Sequence, residues 1–551
     1  MLVSYLSPLA PAAILLLSAL VLLIVGPRLP QTWQNHPGIR YFSAPALVGL
    51  AGLSLLAIRL ATDPDALTEE LQILSGWNFV TGESAATLTV RADLLSLPFL
   101  IVVILVLLAV TLLHFDPLAS TTDDIYGIEI VSWLIIGAGA CFLFVAANGL
   151  TLIYAIMAFD TLTGFYWLSQ KHPDLGVARL FLGILTSGAI LLASLTLATA
   201  PTAGFILLGI ALWLRLGLYP FLEVAIHPHW RSDARLIYFA LTITVGLYLT
   251  IRTVGQPLPE LIRWLIVLTA LLGGLLAWLT SLRQNDEVAE TAQETRSALL
   301  TWLILTEVLV ILVAQPLSSG AMAAFAVGLI LSLVALWVTP ALGRPRLKEQ
   351  AWSWPYLPAA AATLTLIGAP FSLGWVAKLS MYEAFLAGNQ PVMIGVVILA
   401  EALAFSGLVR YWFTLAGGDE TNSWWSTIGI LAMVPFLTPG LGPFIFSALT
   451  QSNLSISQVE LSIGAVAITI IVPVIGSLLG YFRREIIERL HIPTRMVVAI
   501  ASLAWLPGWG QILFKEAGKF GLRVRVILEG QHYMGWAIFT ALVGALVILL
   551  S

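Results

Sequence analysis

Apolar residues fill this chain in blocks rather than in stripes. Stretches such as ILLLSALVLLIV (14–25), SLPFLIVVILVLLAVTLL (96–113) and VVILAEALAFSGLV (396–409) are separated by short polar segments. A helix needs about 20 predominantly apolar residues to cross the hydrocarbon core of a bilayer. Such runs recur from Leu9 to Leu550 and predict spans near 6–26, 43–61, 94–114, 129–147, 149–168, 177–199, 203–222, 234–252, 261–282, 297–314 and 320–339. Further spans are predicted near 356–387 (broken), 391–414, 425–448, 461–481 and 532–550. The stretch 496–513, which contains Pro507, reads equally as a short span or an interfacial helix. The expected fold is therefore an all-α polytopic membrane protein of about 14 to 16 spans, with no room for a soluble catalytic domain.

Composition agrees: 59% of the 551 residues are hydrophobic and 10% charged, with a mean hydropathy of +0.95, against roughly 25% charged residues in soluble domains. With 26 basic and 30 acidic residues the chain offers no basic field for nucleic acid. The single cysteine, Cys141, excludes a disulfide framework, a Cys-based iron–sulfur site and a CxxC pair. Neither GxGxxG nor GxxxxGK[ST] occurs, so no nucleotide ligand, cofactor or metal is expected. The apolar N-terminus lacks the basic segment of a cleavable signal peptide and reads as the first span.

Loop charges orient the spans, because Lys and Arg concentrate in cytoplasmic loops. Arg28 and Arg40, Lys171 and Arg179, Arg231 and Arg235, Arg283 and Arg296, Arg344, Arg346 and Lys348, and Arg483, Arg484, Arg489 and Arg495 fall on one parity. The acidic loop 62–83, with Asp63, Asp65, Glu69, Glu70 and Glu83, falls on the other, which predicts an external N-terminus. Loop 115–128, with Asp116, Asp123 and Asp124, fits less well, but acidic residues weigh little in this rule.

An ionisable side chain at the bilayer centre costs at least about 2.5–3.5 kcal/mol and needs a partner, a wet cavity or a function. Asp160, Arg215, Glu307 and Lys378 lie within predicted spans, Glu401 is a further candidate, and Glu383 lies nearer a helix end. Any one of them could be a structural ion pair, Asp160 with Arg215 most obviously. A set distributed over successive spans reads instead as a proton relay. A buried lysine can release its proton, whereas an arginine does not. Two candidates adjoin helix breakers: Pro220 follows Arg215 by five residues, and Gly368, Pro370 and Gly374 precede Lys378. Proline interrupts the helical ladder and frees carbonyls that a cavity or neighbouring protein must satisfy. Paired breaks in the two halves of a chain point to a transporter with its site at the midplane.

These segments resemble the proton-translocating, antiporter-like membrane subunits shared by respiratory complex I, membrane-bound hydrogenases and multisubunit cation/proton antiporters. GAPFSLGWVAK (368–378) is similar to the family's broken twelfth helix, with Lys378 on its channel lysine. RLGLYPF (215–221) resembles the broken seventh helix, IMAFDTLTGFYWL (156–168) the fifth helix, and RADLLSLPFL (91–100) the start of the third. The resemblance covers roughly 90–415. It implies N-terminal spans over 1–115, two inverted five-helix half-channels over 125–252 and 261–415, and C-terminal spans with an interfacial segment over 424–551. By the same resemblance Asp160 replaces the glutamate that tunes the first lysine, Arg215 replaces that lysine, and Lys378 matches the lysine of the outward half.

Several positions depart from the family pattern. Thr244 stands where the eighth helix usually carries Lys or His, Leu222 where a His follows Pro-Phe, and RQNDEVAETAQE (283–294) is acidic where the family is basic. An Arg215–Asp160 couple would hold its charges permanently, leaving the first half-channel silent and Glu307, Lys378 and Glu401 as the titratable set. His227 and His229 read first as solvated loop residues, with proton collection as the alternative. The basic amphipathic stretch 515–539 suits the membrane interface, and Trp424, Trp425 and Trp536 suit interface belts.

The resemblance implies a proton-translocating subunit of a complex I-like NADH:quinone oxidoreductase or related redox-driven assembly. It would be embedded in lipid beside other membrane subunits of a prokaryotic plasma membrane, with no catalytic site of its own. A secondary cation/proton antiporter subunit, moving protons against Na+ or K+, and a non-pumping structural paralogue are the alternatives.

Overall fold

The structure, a computed structural model, describes residues 8–25, 28, 37–61, 71–77, 86–93, 95–114, 128–169, 173–196, 200–216, 232–253, 260–280, 307, 319–338, 357–388, 390–413, 433–450 and 462–490. Pro220, His227, His229, Leu222, the acidic stretch 283–294 and everything beyond 490, including 496–513 and the predicted last span, lie outside the described residues, as do Trp424 and Trp425.

Apolar blocks become helices because a chain in hydrocarbon must satisfy its backbone polar groups within itself. In order these are α1 (Ala10–Val25), α2 (Pro37–Ala61), α3 (Ser96–His114), α4 (Ile128–Phe144), α5 (Gly149–Ser169), α6 (Pro173–Thr196), α7 (Pro201–Leu216), α8 (Ser232–Thr253) and α9 (Glu260–Thr280). Beyond Glu307, which is described without its neighbours in the chain, come α10 (Ser319–Val338), α11 (Leu357–Ile367), α12 (Leu373–Ala387), α13 (Pro391–Phe413), α14 (Val434–Leu437), α15 (Leu441–Thr450), α16 (Ile463–Tyr481) and α17 (Arg483–Leu490). Among the described residues four helices are long and apolar enough to cross a membrane by length and composition, and shorter apolar helices accompany them. The chain is an integral, all-α polytopic membrane protein.

Hydroxyls inside these helices satisfy themselves on the preceding turn. Thr111 donates to the Leu107 carbonyl at 2.8 Å, Thr250 to Gly246 at 2.8 Å and Thr469 to Ala465 at 2.9 Å. Such back-bonding removes the cost of an unpaired hydroxyl in an apolar medium. Successive helices α4 to α8 pack one on the next, and α8 also returns to α4. Farther along, α9 packs on α13, and α10 on α11 and α12. Helices α3, α8 and α10 contact one another and connect the two groups. At that junction Tyr248 meets Phe99 and Phe144 edge to face, the two phenylalanines are tilted on each other, ring centroids lie 4.8–5.6 Å apart, and the Tyr248 hydroxyl donates to the Phe144 carbonyl at 2.7 Å.

One element was not legible from hydropathy. Residues 71–77 and 86–90 form an antiparallel hairpin, β1 (Leu71–Trp77) and β2 (Ala86–Val90). The region 62–83 reads in sequence only as an acidic loop, because a bulged two-stranded ribbon has too little alternation to announce itself. Its second strand is fastened to the α4–α5 junction: the Ala147 amide donates to the Thr89 carbonyl at 3.0 Å, and the Thr89 amide to Thr151 Oγ1 at 2.9 Å. Just beyond, Asp93 caps α3, accepting from the Ser96 amide at 2.8 Å, and pairs with Arg252 at the end of α8.

The predicted break near Pro370 is present between α11 and α12. Gly368 (φ 75°) and Phe371 (φ 66°) are both left-handed, and Ser372 caps α12 by accepting from the Trp375 amide at 3.1 Å. A non-glycine residue in that region costs on the order of 1–3 kcal/mol; the Gly440 amide holds it by donating to the Phe371 carbonyl at 2.6 Å. Gly440 belongs to a second break, between α14 and α15. The predicted span 425–448 is therefore not continuous, as Thr438–Pro439–Gly440 interrupt it. Thr365 Oγ1 ties the two breaks together through the Leu437 carbonyl at 2.9 Å.

Close approach at the first break depends on Gly374. A Cβ there would lie 1.8 Å from the Thr365 carbonyl oxygen, and that neighbour is backbone with no room to yield. Gly374→Ala is therefore expected to force α11 and α12 apart. Trypsin sensitivity of the purified protein should rise and its melting temperature should fall, whereas an unchanged melt would contradict the geometry.

Candidate proton-carrying site

Five ionisable residues predicted at membrane depth, Asp160, Arg215, Glu307, Lys378 and Glu401, are all buried. They separate into two clusters.

The first is built on α5, α6 and α7. Asp160 on α5 receives Arg215 from α7 at one carboxylate oxygen, and Arg179 Nε from α6 lies 2.9 Å from the other. Both guanidiniums also lie over the Phe159 ring, at 5.3 Å for Arg215 and 5.6 Å for Arg179. Gly183 admits the carboxylate between α5 and α6, since a Cβ on it would fall 2.7 Å from that of Asp160.

Arg179 is a correction to the sequence reading, which counted it among cytoplasmic loop charges. It lies inside α6 and is buried, because Asp160 offers a second oxygen and Phe159 a face. Its signal was a basic residue within a predicted span, close enough to its end to pass for a flanking charge. Arg483, also counted as a loop charge, is likewise buried and donates to the Leu279 carbonyl at the end of α9, at 3.1 Å. Basic side chains at a helix C-terminus satisfy orphan carbonyls there.

The second cluster surrounds the break. Lys378 on α12 reaches Glu307 Oε1 at 3.3 Å and Glu401 Oε1, on α13, at 3.4 Å. Tyr382, one turn beyond Lys378, donates to Glu401 Oε2. Sequence reasoning did not single out Tyr382, although its spacing of four from the lysine on a helix places the two on one face. A cavity with about 10 Å³ of room for a water's centre borders Glu307, Lys378 and Glu401 and is closed by Phe405, Val472 and Pro473. That volume is about one water. A second, also about 10 Å³, borders Lys378 with Gly328, Thr365 and Gly374. Proline at 473 supplies no N–H to the Thr469 carbonyl, leaving an acceptor one turn back along α16.

The clusters have opposite balances. Asp160 faces two arginines, and Lys378 faces two glutamates. Arginine keeps its proton in proteins, so the first cluster holds fixed charge. Among the described residues the second sets one cation against two carboxyls. Between them, on α8 and α10, the buried polar side chains among the described residues are Thr242, Thr244, Thr250 and Ser332. Thr244 donates to its own helix, at the Ala240 carbonyl. Glu383 lies apart from both clusters, accepting from the Ser462 amide at the start of α16, at 3.3 Å. Pro220 cannot be placed, being outside the described residues.

No family model matches the sequence, and no curated protein matches it. Solved structures do match. One chain in the structure of the Mrp complex from Dietzia sp. DQ12-45-1b aligns with a TM-score of 0.65 at 16% identity, over 98% of this chain and 63% of that one. A chain of the membrane-bound sulfane sulfur reductase, an archaeal respiratory membrane complex, aligns with a TM-score of 0.64 at 14% identity, over 98% of this chain and 99% of that one. The chain thus spans under two thirds of the Mrp chain and nearly the whole of the reductase chain. It shares the fold of these two membrane-complex chains.

Proposed function

We propose that this chain is a proton-translocating, antiporter-like subunit of a redox-driven membrane assembly of the complex I type, exchanging protons at Lys378, Glu307 and Glu401. The observation that carries the reading is a buried lysine between two buried carboxyls at a helix break, with more carboxyl than cation. Such a group can take up and release a proton without a bound cofactor, and movement of the break can change which side it exchanges with. The described residues hold no grouping of three or more His, Cys, Asp and Glu suited to a metal ion. Energy would come from partner subunits in the same membrane, with an NADH:quinone oxidoreductase as the reading that the sequence resemblance favours. The inverted half-channels at 125–252 and 261–415, the prokaryotic plasma membrane and the external N-terminus belong to this proposal.

Near-complete coverage of the respiratory reductase chain supports the redox-driven reading. The Mrp likeness supports a second, a subunit of a cation/proton antiporter. A third concerns the first half alone: Asp160 with its two arginines acts as a strut, and the hydroxyl-only stretch through Thr244 carries no charge onward. Proton flux in vesicles containing the purified native complex separates the first two. Flux that requires an electron donor is expected. Flux that runs without one and depends on a Na+ or K+ gradient would instead identify the antiporter, and no flux under either condition would remove the translocating role.

A further inference from the structure

We infer that Tyr382 divides the work of the two carboxyls: it holds Glu401 as the ionised partner of Lys378, and the cluster's one excess proton resides on Glu307 Oε2 beside the water-sized cavity. This deepens the proton-carrying reading, but it concerns where a proton rests and is tested without transport.

Both oxygens of Glu401 face a donor group, one through a hydrogen bond and the other through an ion pair without one. Oε2 accepts from the Tyr382 hydroxyl and Oε1 faces Lys378 Nζ at 3.4 Å. Tyr382 is fully buried, and Glu401 is the one acceptor its hydroxyl meets among the described residues, so the phenol is better served by the carboxylate than by the weaker acceptor of a neutral acid. Hydrogen bonds to the charged form of a carboxyl favour that form.

Glu307 is placed differently. Lys378 donates to Oε1 at 3.3 Å; Oε2, like Glu401 Oε1, is buried without a hydrogen-bond partner among the described residues, but unlike it has no ion-pair partner there. A bare carboxylate oxygen is costly there, whereas a protonated one becomes a donor able to use a cavity water. Glu307 lines that cavity, and Pro473, which leaves the Thr469 carbonyl without its helical donor, lines it too. Helices α10, α11, α15 and α16, all packed near α12, add no charged side chain to the cluster among the described residues. Among the described residues the balance therefore rests on Glu307, Lys378 and Glu401, and Tyr382 is the hydroxyl donor that one carboxyl has and the other lacks.

Infrared spectroscopy of the intact complex in lipid at neutral pH tests this. A carbonyl band of a protonated carboxylic acid, shifting in D2O, is expected. It should move in Glu307→Asp, because an aspartic acid absorbs at a different frequency, and stay in place in Glu401→Asp. In a Tyr382→Phe background the band should become sensitive to Glu401→Asp. Absence of the band, or sensitivity to Glu401→Asp while Tyr382 is present, overturns the assignment. Should the aspartate variants fail to assemble, a hydrophobic carbodiimide, which adds to protonated carboxyls, can be applied to the unaltered complex and mapped by peptide mass spectrometry. Label on Glu307 is expected; label on Glu401, or on neither, overturns it.

Discussion

Asp160→Ala is expected to prevent the chain from accumulating in the membrane. Arg179 and Arg215 share that carboxylate, all three side chains are about 1% exposed, and the arginines come from different helices. Removing one partner of a buried ion pair costs about 3–5 kcal/mol because the survivor stays buried and uncompensated. Here two buried arginines lose the carboxylate they share, against a folding stability of about 5–15 kcal/mol for a typical domain. Membrane abundance of the tagged chain should fall at least severalfold, and any residual protein should melt at a lower temperature. Replacing Asp160, Arg179 and Arg215 together by apolar residues of similar volume should recover accumulation, since a buried triad exchanged for packed hydrocarbon is often neutral. That combined variant also decides what the first cluster is for. Proton transfer kept in it supports the strut, and transfer lost without disassembly refutes the strut. Normal abundance of Asp160→Ala alone would show that the arginines do not depend on this carboxylate.

Lys378→Ala should have the opposite profile, with assembly preserved and proton transfer reduced to the leak of empty vesicles. Losing the lysine leaves two glutamates that can neutralise themselves by binding protons. Asp160→Ala leaves arginines that cannot neutralise themselves at all. The asymmetry between the two substitutions therefore comes from the chemistry of the survivors rather than from burial, which is nearly equal. Lys378→Arg separates charge from exchange: it retains a cation between Glu307 and Glu401 but cannot release a proton. It is expected to assemble and to remain inactive in the same vesicle assay. Wild-type flux from either variant would remove Lys378 from the pathway.

Much of this was legible in the chain. Asp160, Arg215, Glu307, Lys378 and Glu401 stood out because a charge inside an apolar block has no cheap explanation. The break at 368–372 was legible because Gly368 and Pro370 both oppose a helix there. The break at 438–440 was equally marked by Pro439 and Gly440 but was absorbed into a span by its apolar flanks. Arg179 and Arg483 were misread for a related reason. Near a span end, hydropathy treats an arginine as a loop residue, whereas the partner that buries it, Asp160 or the Leu279 carbonyl, belongs to another helix.

By itself the sequence determined that the chain lives in a bilayer, roughly where its helices lie and which residues carry charge into them. Those properties follow from local apolar content and from the cost of a buried charge, which each segment has on its own. Only the tertiary structure decided the grouping: two arginines on Asp160, two glutamates on Lys378, and Tyr382 on one glutamate and not the other. Helices at separations of 55 residues for Arg215 and Asp160, or 71 for Lys378 and Glu307, must pack before their charges can meet. The charge balance of each cluster is therefore a property of helix packing that no single apolar block contains.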